Sequence, residues 1–143
     1  MQKSLAPRIF IDTNVWFSAF YGSNNAEKIL KAHIDGKIKA VICQQVLKEL
    51  ARNVKKKIPR ALVPLKRFLE YAPPIIVKMP SEINSMIEKF SDPKDKAILQ
   101  SAYEAETKMF VTGNIKDFNK LEIRKRFNIE ILSPADAVKK LSL

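Results

Sequence analysis

A chain of 143 residues with 46% apolar and 8% aromatic side chains fits one domain with a real hydrophobic core, which excludes wholesale disorder. Its 26 Lys and Arg against 15 Asp and Glu give a formal charge of +11, an excess that favours an anionic partner, nucleic acid above all. The single cysteine, Cys43, excludes an intrachain disulfide and a Cys-rich zinc site, and no segment approaches the ~20 apolar residues of a membrane helix. With three glycines there is no Gly-rich phosphate loop, and the opening MQKSLAPRIF has no apolar run of signal-peptide length, so the expected location is the cytoplasm.

Arg8–Asp12 is a short β-branched run that reads as a buried strand ending on an acid. Asp12 by itself reads as the N-cap of a helix starting at Thr13 or Asn14. Trp16, Phe17 and Phe20 follow at helical spacing; base-stacking platforms are one reading of them, but just after a strand they read rather as core or as a dimer face. Asn24–Asp35 is a helix with Ile29, Leu30, Ala32 and Ile34 on its apolar side and Gly36 as its stop; His33 within it reads as a solvated surface residue. Ile38–Cys43 is the second strand. Gln44–Ile58 is a helix that repeats Val46, Leu47, Leu50 and Val54 and ends at Pro59. Glu49 lies at the edge of that stripe and alone reads as a solvated acid paired with Lys48 or Arg52.

Ala61–Tyr71, with Leu62, Leu65, Phe68 and Leu69, is the next helix, followed by a strand at Ile75–Lys78 and a helix at Ser81–Phe90. In the helix Pro93–Glu106, Asp92 reads as N-cap and Pro93 as the first helical position, which puts Asp95 in the first turn, in line with Ile98 and Ala102. Met109–Thr112 and Ile129–Leu132 are strands, and Pro134–Leu141 closes the chain as a helix. Asp117 falls in the loop after the fourth strand, where an acid commonly serves as a turn residue.

Strands alternating with helices argue for a parallel α/β sheet with helices on both faces, and in such sheets ligands gather at the carboxyl ends of the strands. Asp12, Glu49, Asp95 and Asp117 come from four segments near those ends. Together they would repel one another without a cation, and their hard oxygens suit Mg²⁺ or Mn²⁺. Clustered carboxylates holding such ions are the equipment of phosphodiester cleavage. Between Lys48 and Arg67, eight Lys and Arg face Glu49 as the only acid. A basic run is ordinarily a solvated face, but beside a carboxylate pocket Lys48, Arg52, Lys55, Lys56, Lys57 and Lys116 become candidate RNA contacts, made through phosphates and without sequence preference. A strand-end Asp phosphatase is disfavoured, because Asp12-Thr13-Asn14 lacks a second Asp two residues on.

The stretches IDTNV (11–15), VLKEL (46–50), DPKDKAILQSA (92–102) and VTGNIKDF (111–118), in this order, resemble PIN-domain ribonucleases, including the VapC-type toxins of toxin–antitoxin pairs. The resemblance runs from Ile9 to about Val138. It implies one PIN-like domain over residues 1–143, a three-layer α/β/α sandwich around a parallel sheet of about five strands. It implies a Mg²⁺- or Mn²⁺-dependent endoribonuclease, the toxin of a pair, with RNA, an antitoxin protein and a second copy of the chain as partners. The alternative is an RNA-binding or RNA-processing PIN domain with weak or no nuclease activity. The family's acids fall on Asp12, Glu49, Asp95 (in preference to Asp92) and Asp117, with Asn114 also at the metal and Thr13, Asn14 and Thr112 in support. Relatives with the DPxD form often carry Asp where this chain has Asn114, so the site here is one charge poorer.

Overall fold

The computed structural model describes residues 6–78 and 96–143. The helix expected at Ser81–Phe90, the cap Asp92 and the acid Asp95 lie outside the described residues.

Five short strands, β1 (Arg8–Ile11), β2 (Lys39–Cys43), β3 (Ile75–Val77), β4 (Met109–Val111) and β5 (Glu130–Leu132), form one parallel sheet in the order β3–β2–β1–β4–β5. A parallel sheet covered on both faces needs continuous apolar runs rather than alternation. Ile9, Phe10 and Ile11 of β1 and Ala40 to Cys43 of β2 are accordingly all buried. Phe10 is in register with Phe110 of β4, and their rings stack at 5.1 Å, which locks the centre of the sheet.

The helices are α1 (Thr13–Tyr21), α2 (Asn24–Ile34), α3 (Gln44–Lys57), α4 (Leu62–Tyr71), α5 (Lys96–Glu104), α6 (Lys120–Phe127) and α7 (Pro134–Lys140). The chain steps from β1 to β2 to β3 in one direction and from β4 to β5 in the other. With right-handed crossovers, the helices of those two halves cover opposite faces, which gives the three-layer α/β/α arrangement. The reversal falls between β1 and β4, and the crevice at their carboxyl ends is where such sheets bind ligands. On one face α1 packs against α2 and α3, and α3 against α4.

Two features differ from the sequence reading. Helix α6 was not foreseen, because only Ile123 of it is buried and no apolar stripe marks it. It is defined at its ends instead, by the Asn119 side chain accepting from Glu122 N and by Asn128 in the left-handed conformation. The second difference is His33, which is buried rather than solvated, while Ile34 is the exposed neighbour. Ala26, Ile29, Leu30 and His33 share one helical face, so the buried stripe includes the imidazole. Its Nδ1 accepts from Ala40 N at 3.1 Å and its Nε2 donates to Ala72 O at 2.9 Å, which ties α2 to β2 and to the end of α4.

Replacing His33 with Ala should therefore destabilise the protein by about 2–3 kcal/mol, because two backbone groups lose their partners at once. Urea unfolding measures this, and a variant as stable as the parent would contradict the bridging role.

Candidate metal centre

Asp12 follows β1 directly, and Thr112 follows β4. Because Ile11 and Val111 are in register, these two residues leave the sheet side by side. Asp12 N donates to Val111 O at 3.0 Å, and Thr112 N donates to Leu132 O at 2.9 Å, so sheet-like pairing extends one residue beyond both strands. The Asp12 side chain is the N-cap of α1, as its position alone suggested, with Oδ1 accepting from Thr13 N at 2.8 Å. Its Oδ2 accepts from Thr112 Oγ1 at 3.0 Å and from Asn14 Nδ2 at 3.4 Å.

Thr13 is shared between two acids. Its backbone holds Asp12, while its hydroxyl donates to Glu49 Oε2 at 3.1 Å across to α3. Glu49 thus faces Asp12 over a threonine instead of pairing with Lys48 or Arg52. Asn14 performs a similar double duty, since its Oδ1 accepts from Gly113 N at 2.8 Å. That approach depends on glycine: a Cβ at Gly113 would lie 3.1 Å from the same oxygen. The Thr112 hydroxyl, donating to Asp12, also accepts from Asn114 N at 3.1 Å.

Asp12, Thr13, Asn14, Glu49 and Asn114 line a cavity of ≈370 Å³ between α1 and α3. Phe17 and Ser18 of α1, Asn53 and Lys57 of α3, and Ile98 of α5 complete its wall. Asp117 does not line it; it is half-buried in the 3₁₀ turn Ile115–Asp117, with its backbone N bonded to Asn114 O. Lys48 and Arg52 line an adjoining basin that shares Glu49 with the cavity. Lys55 and Lys56 are exposed in the last turn of α3, and Lys116 is exposed in the 3₁₀ turn. Lys57 was expected as an RNA contact and Phe17 as core or a dimer face, whereas Asn53 and Ser18 were not singled out from sequence. A helical signal for Asn53 existed: Glu49, Asn53 and Lys57 fall at i, i+4 and i+8, as do Thr13, Phe17 and Tyr21.

Burial pushes the Asp12 carboxyl above its ordinary value, and the facing Glu49 carboxylate pushes it in the same direction. Hydrogen bonds from Thr13, Thr112 and Asn14 offset only part of this. Among the described residues neither carboxylate forms an ion pair with Lys or Arg, and no three His, Cys, Asp or Glu side chains gather. The centre is therefore two carboxylates and an amide around a cavity in which, among the described residues, no cation pairs with either acid.

A family model for the PIN domain matches residues 8–116. The chain belongs to the PIN domain family. Several solved structures are similar to this PIN domain in fold. A structure of VapBC2 from Rickettsia felis, bound to a DNA fragment from its promoter, is 21% identical with a TM-score of 0.62; the match covers 88% of this chain and 98% of that one. DNA-bound VapBC from Salmonella typhimurium is 16% identical with a TM-score of 0.61, covering 90% and 98%. The PIN domain endonuclease Utp24 is 21% identical with a TM-score of 0.51, covering 91% and 88%. Comparison with curated protein sequences found no match.

The donors present suit a hard divalent cation. Mg²⁺ is commonly held by one or two carboxylates, with water and substrate phosphate completing its shell, and Mn²⁺ takes the same ligands. A buried, uncompensated Asp12 beside Glu49 is such a donor set.

In the cation-free protein Asp12 is a liability. Its raised folded-state pKa means that the folded protein holds this proton more tightly than the unfolded chain does. Asp12 therefore costs no stability at low pH, and the cost grows as pH rises from the unfolded value through the folded one. Asp12→Asn should raise Tm by a few degrees at pH 7 without divalent cation, and the gain should shrink towards pH 4. Mn²⁺ should raise the Tm of the parent and leave that of the variant unchanged. Differential scanning fluorimetry across pH checks both; a variant melting below the parent at neutral pH would contradict the assignment.

Proposed function

We propose that this chain acts as one PIN-like domain over residues 1–143, a divalent-metal-dependent endoribonuclease that hydrolyses RNA phosphodiester bonds. The observation that carries this reading is the buried Asp12, set beside Glu49 in a cavity at the reversal point of the sheet, with no cationic side chain among the described residues paired to either. Asp12 and Glu49 hold Mg²⁺ or Mn²⁺, with Asn114 at the rim; Asp95 and Asp117 are the further acids that the family pattern assigns. When bound, the ion supplies an activated water and neutralises charge on the attacked phosphate.

The remaining roles belong to the chain's own residues. Thr13 and Thr112 orient the two carboxylates by donating to them, and they keep Asp12 in one rotamer under the helix N-terminus. Asn14 braces the Gly113 backbone, which positions the turn carrying Asn114. Lys57 at the cavity wall, Lys48 and Arg52 in the adjoining basin, and the exposed Lys55, Lys56 and Lys116 bind flanking phosphates.

Membership of the PIN family and the likeness to two VapBC structures support a role as the toxin of a toxin–antitoxin pair in the cytoplasm, with an antitoxin partner and self-association. Among the described residues no helix is long and apolar enough to cross a membrane. The neutral Asn114 favours a second reading, an RNA-binding or RNA-processing PIN domain with weak or no cleavage, because an amide contributes no charge to cation affinity.

Incubation with labelled single-stranded RNA and Mn²⁺ decides between them. The parent should cleave, EDTA should stop it, and Asp12→Asn or Glu49→Gln should lower the rate about 100-fold or more. Cleavage that survives in Asp12→Asn would refute the metal centre, and binding without cleavage by the parent would favour the second reading.

A further inference from the structure

Beyond its first turn, α1 carries an aromatic pair, an exposed Tyr21 backed by a half-buried Phe17, that coordinates nothing in the metal centre. Thr13, Phe17 and Tyr21 form a column at i, i+4 and i+8 on this helix, with Thr13 at the acids. The rings of Phe17 and Tyr21 are near-parallel, 26° apart in plane, with centroids 6.1 Å apart. Tyr21 is 64% exposed although it lies beside a polar cavity. Lys57 caps the inner ring, its Nζ 5.8 Å from the Phe17 centroid.

Three basins meet end to end along this edge. Phe17 and Ser18 are shared between the acidic cavity and a more apolar basin that Tyr21 lines. Glu49 is shared between the acidic cavity and the basin holding Lys48 and Arg52. The acids therefore lie between an aromatic platform and a pair of cations.

We propose that these basins form one track for a single strand of RNA, with an unpaired base stacked on the exposed Tyr21 ring, which Phe17 backs, next to the phosphate at Asp12 and Glu49. The neighbouring phosphate on the other side meets Lys48 and Arg52. The proposal rests on the reading of the acids as a phosphodiester site and adds to it a subsite for one unpaired base at Tyr21. Three features favour this occupant over another protein surface. The platform is continuous with the acidic cavity, Lys57 stands on its inner side with Lys48 and Arg52 beyond the acids, and the exposed Tyr21 ring matches the flat face of a nucleobase. A duplex offers no such face, because its bases are stacked on each other.

The test uses the full chain, Ca²⁺ in place of Mn²⁺, and an RNA strand of about eight nucleotides carrying one 2-aminopurine. Scanning that base along the strand should find a position whose fluorescence is quenched on binding. Tyr21→Ala should abolish the quench and weaken binding about tenfold, whereas Tyr21→Trp should preserve both. An abasic site at that position should weaken binding to the parent as much as Tyr21→Ala does for the intact strand. Lys48→Ala should weaken binding but keep the quench, and duplex RNA should be insensitive to Tyr21. Unchanged quench and affinity in Tyr21→Ala would overturn the track while leaving the metal-centre reading intact. So would a change in oligomeric mass for Tyr21→Ala with RNA binding unaltered, which would make this face a contact between copies. A parent protein that binds neither single-stranded nor duplex RNA would overturn the ribonuclease reading together with the track.

Discussion

The architecture depends on keeping one buried carboxylate, Asp12, at the end of the central strand. A charge there is costly unless dipoles and hydrogen bonds replace the water it loses. The replacement is drawn from two parts of the fold, the N-terminus of α1 through Thr13 N and the end of β4 through Thr112 Oγ1. The second donor would not be in place without the parallel register of β1 on β4, in which Phe10 meets Phe110 and Ile11 meets Val111. The sheet order is thus a condition for the site. These donors still leave the carboxyl raised, so the fold tolerates a net cost at this position. Uncompensated cost at a conformationally determined position is what a binding site for a cation looks like before the cation is considered.

Glu49 reaches the same cavity by a different route, through helix packing instead of strand register. Helix α1 is clamped onto the sheet by the wholly buried Trp16, whose indole donates to Ile11 O at 2.9 Å and packs edge-on against Phe68 of α4. This clamp fixes the rotation of α1 and with it the direction of Thr13, the one residue that touches both acids. On the facing side, Val46, Leu50 and Val54 bury one stripe of α3 and leave Glu49, Asn53 and Lys57 along its edge. Core residues therefore set the aim of the polar ones. A change at Trp16 would disturb the acids without touching them.

What could be read from the sequence follows from how local the cause is. The strands were legible because each is a short apolar run, mostly buried except in the edge strand β3, and their observed ends lie within a residue of those expected. Asp12 was legible as a cap and, beside the other acids, as a residue of a shared site; the structure shows it capping α1 while lining the cavity with Glu49. Glu49 was legible only with Asp12 in view, since nothing local distinguishes it from a solvated acid. His33 was misread because its partners, Ala40 N and Ala72 O, lie in other elements and no local pattern announces them. Helix α6 escaped because caps, not an apolar stripe, define it. Phe17 was grouped with Trp16 and Phe20 as core. Only Trp16 is fully buried; Phe20 is half-buried against Phe68, and Phe17 turns to the cavity, a difference set by the rotation of α1.

The distribution of charge makes the last connection. A protein with an excess of eleven positive charges could easily have neutralised two acids with its own lysines, and Lys57 is close enough in the fold to line the same cavity. Yet its ammonium lies over the Phe17 ring, and among the described residues no cation pairs with Asp12 or Glu49. A lysine seated between the two carboxylates would relieve their repulsion and fill the space a metal ion and a phosphate need together. Keeping the cations at the rim preserves a negative pocket inside a positive surround. That arrangement attracts a polyanion from a distance and repels it at the last step unless a small divalent cation is already present. Under the function proposed above, access for a nucleic acid would depend on the metal, and that dependence would come from where the described lysines stand as much as from where the acids do.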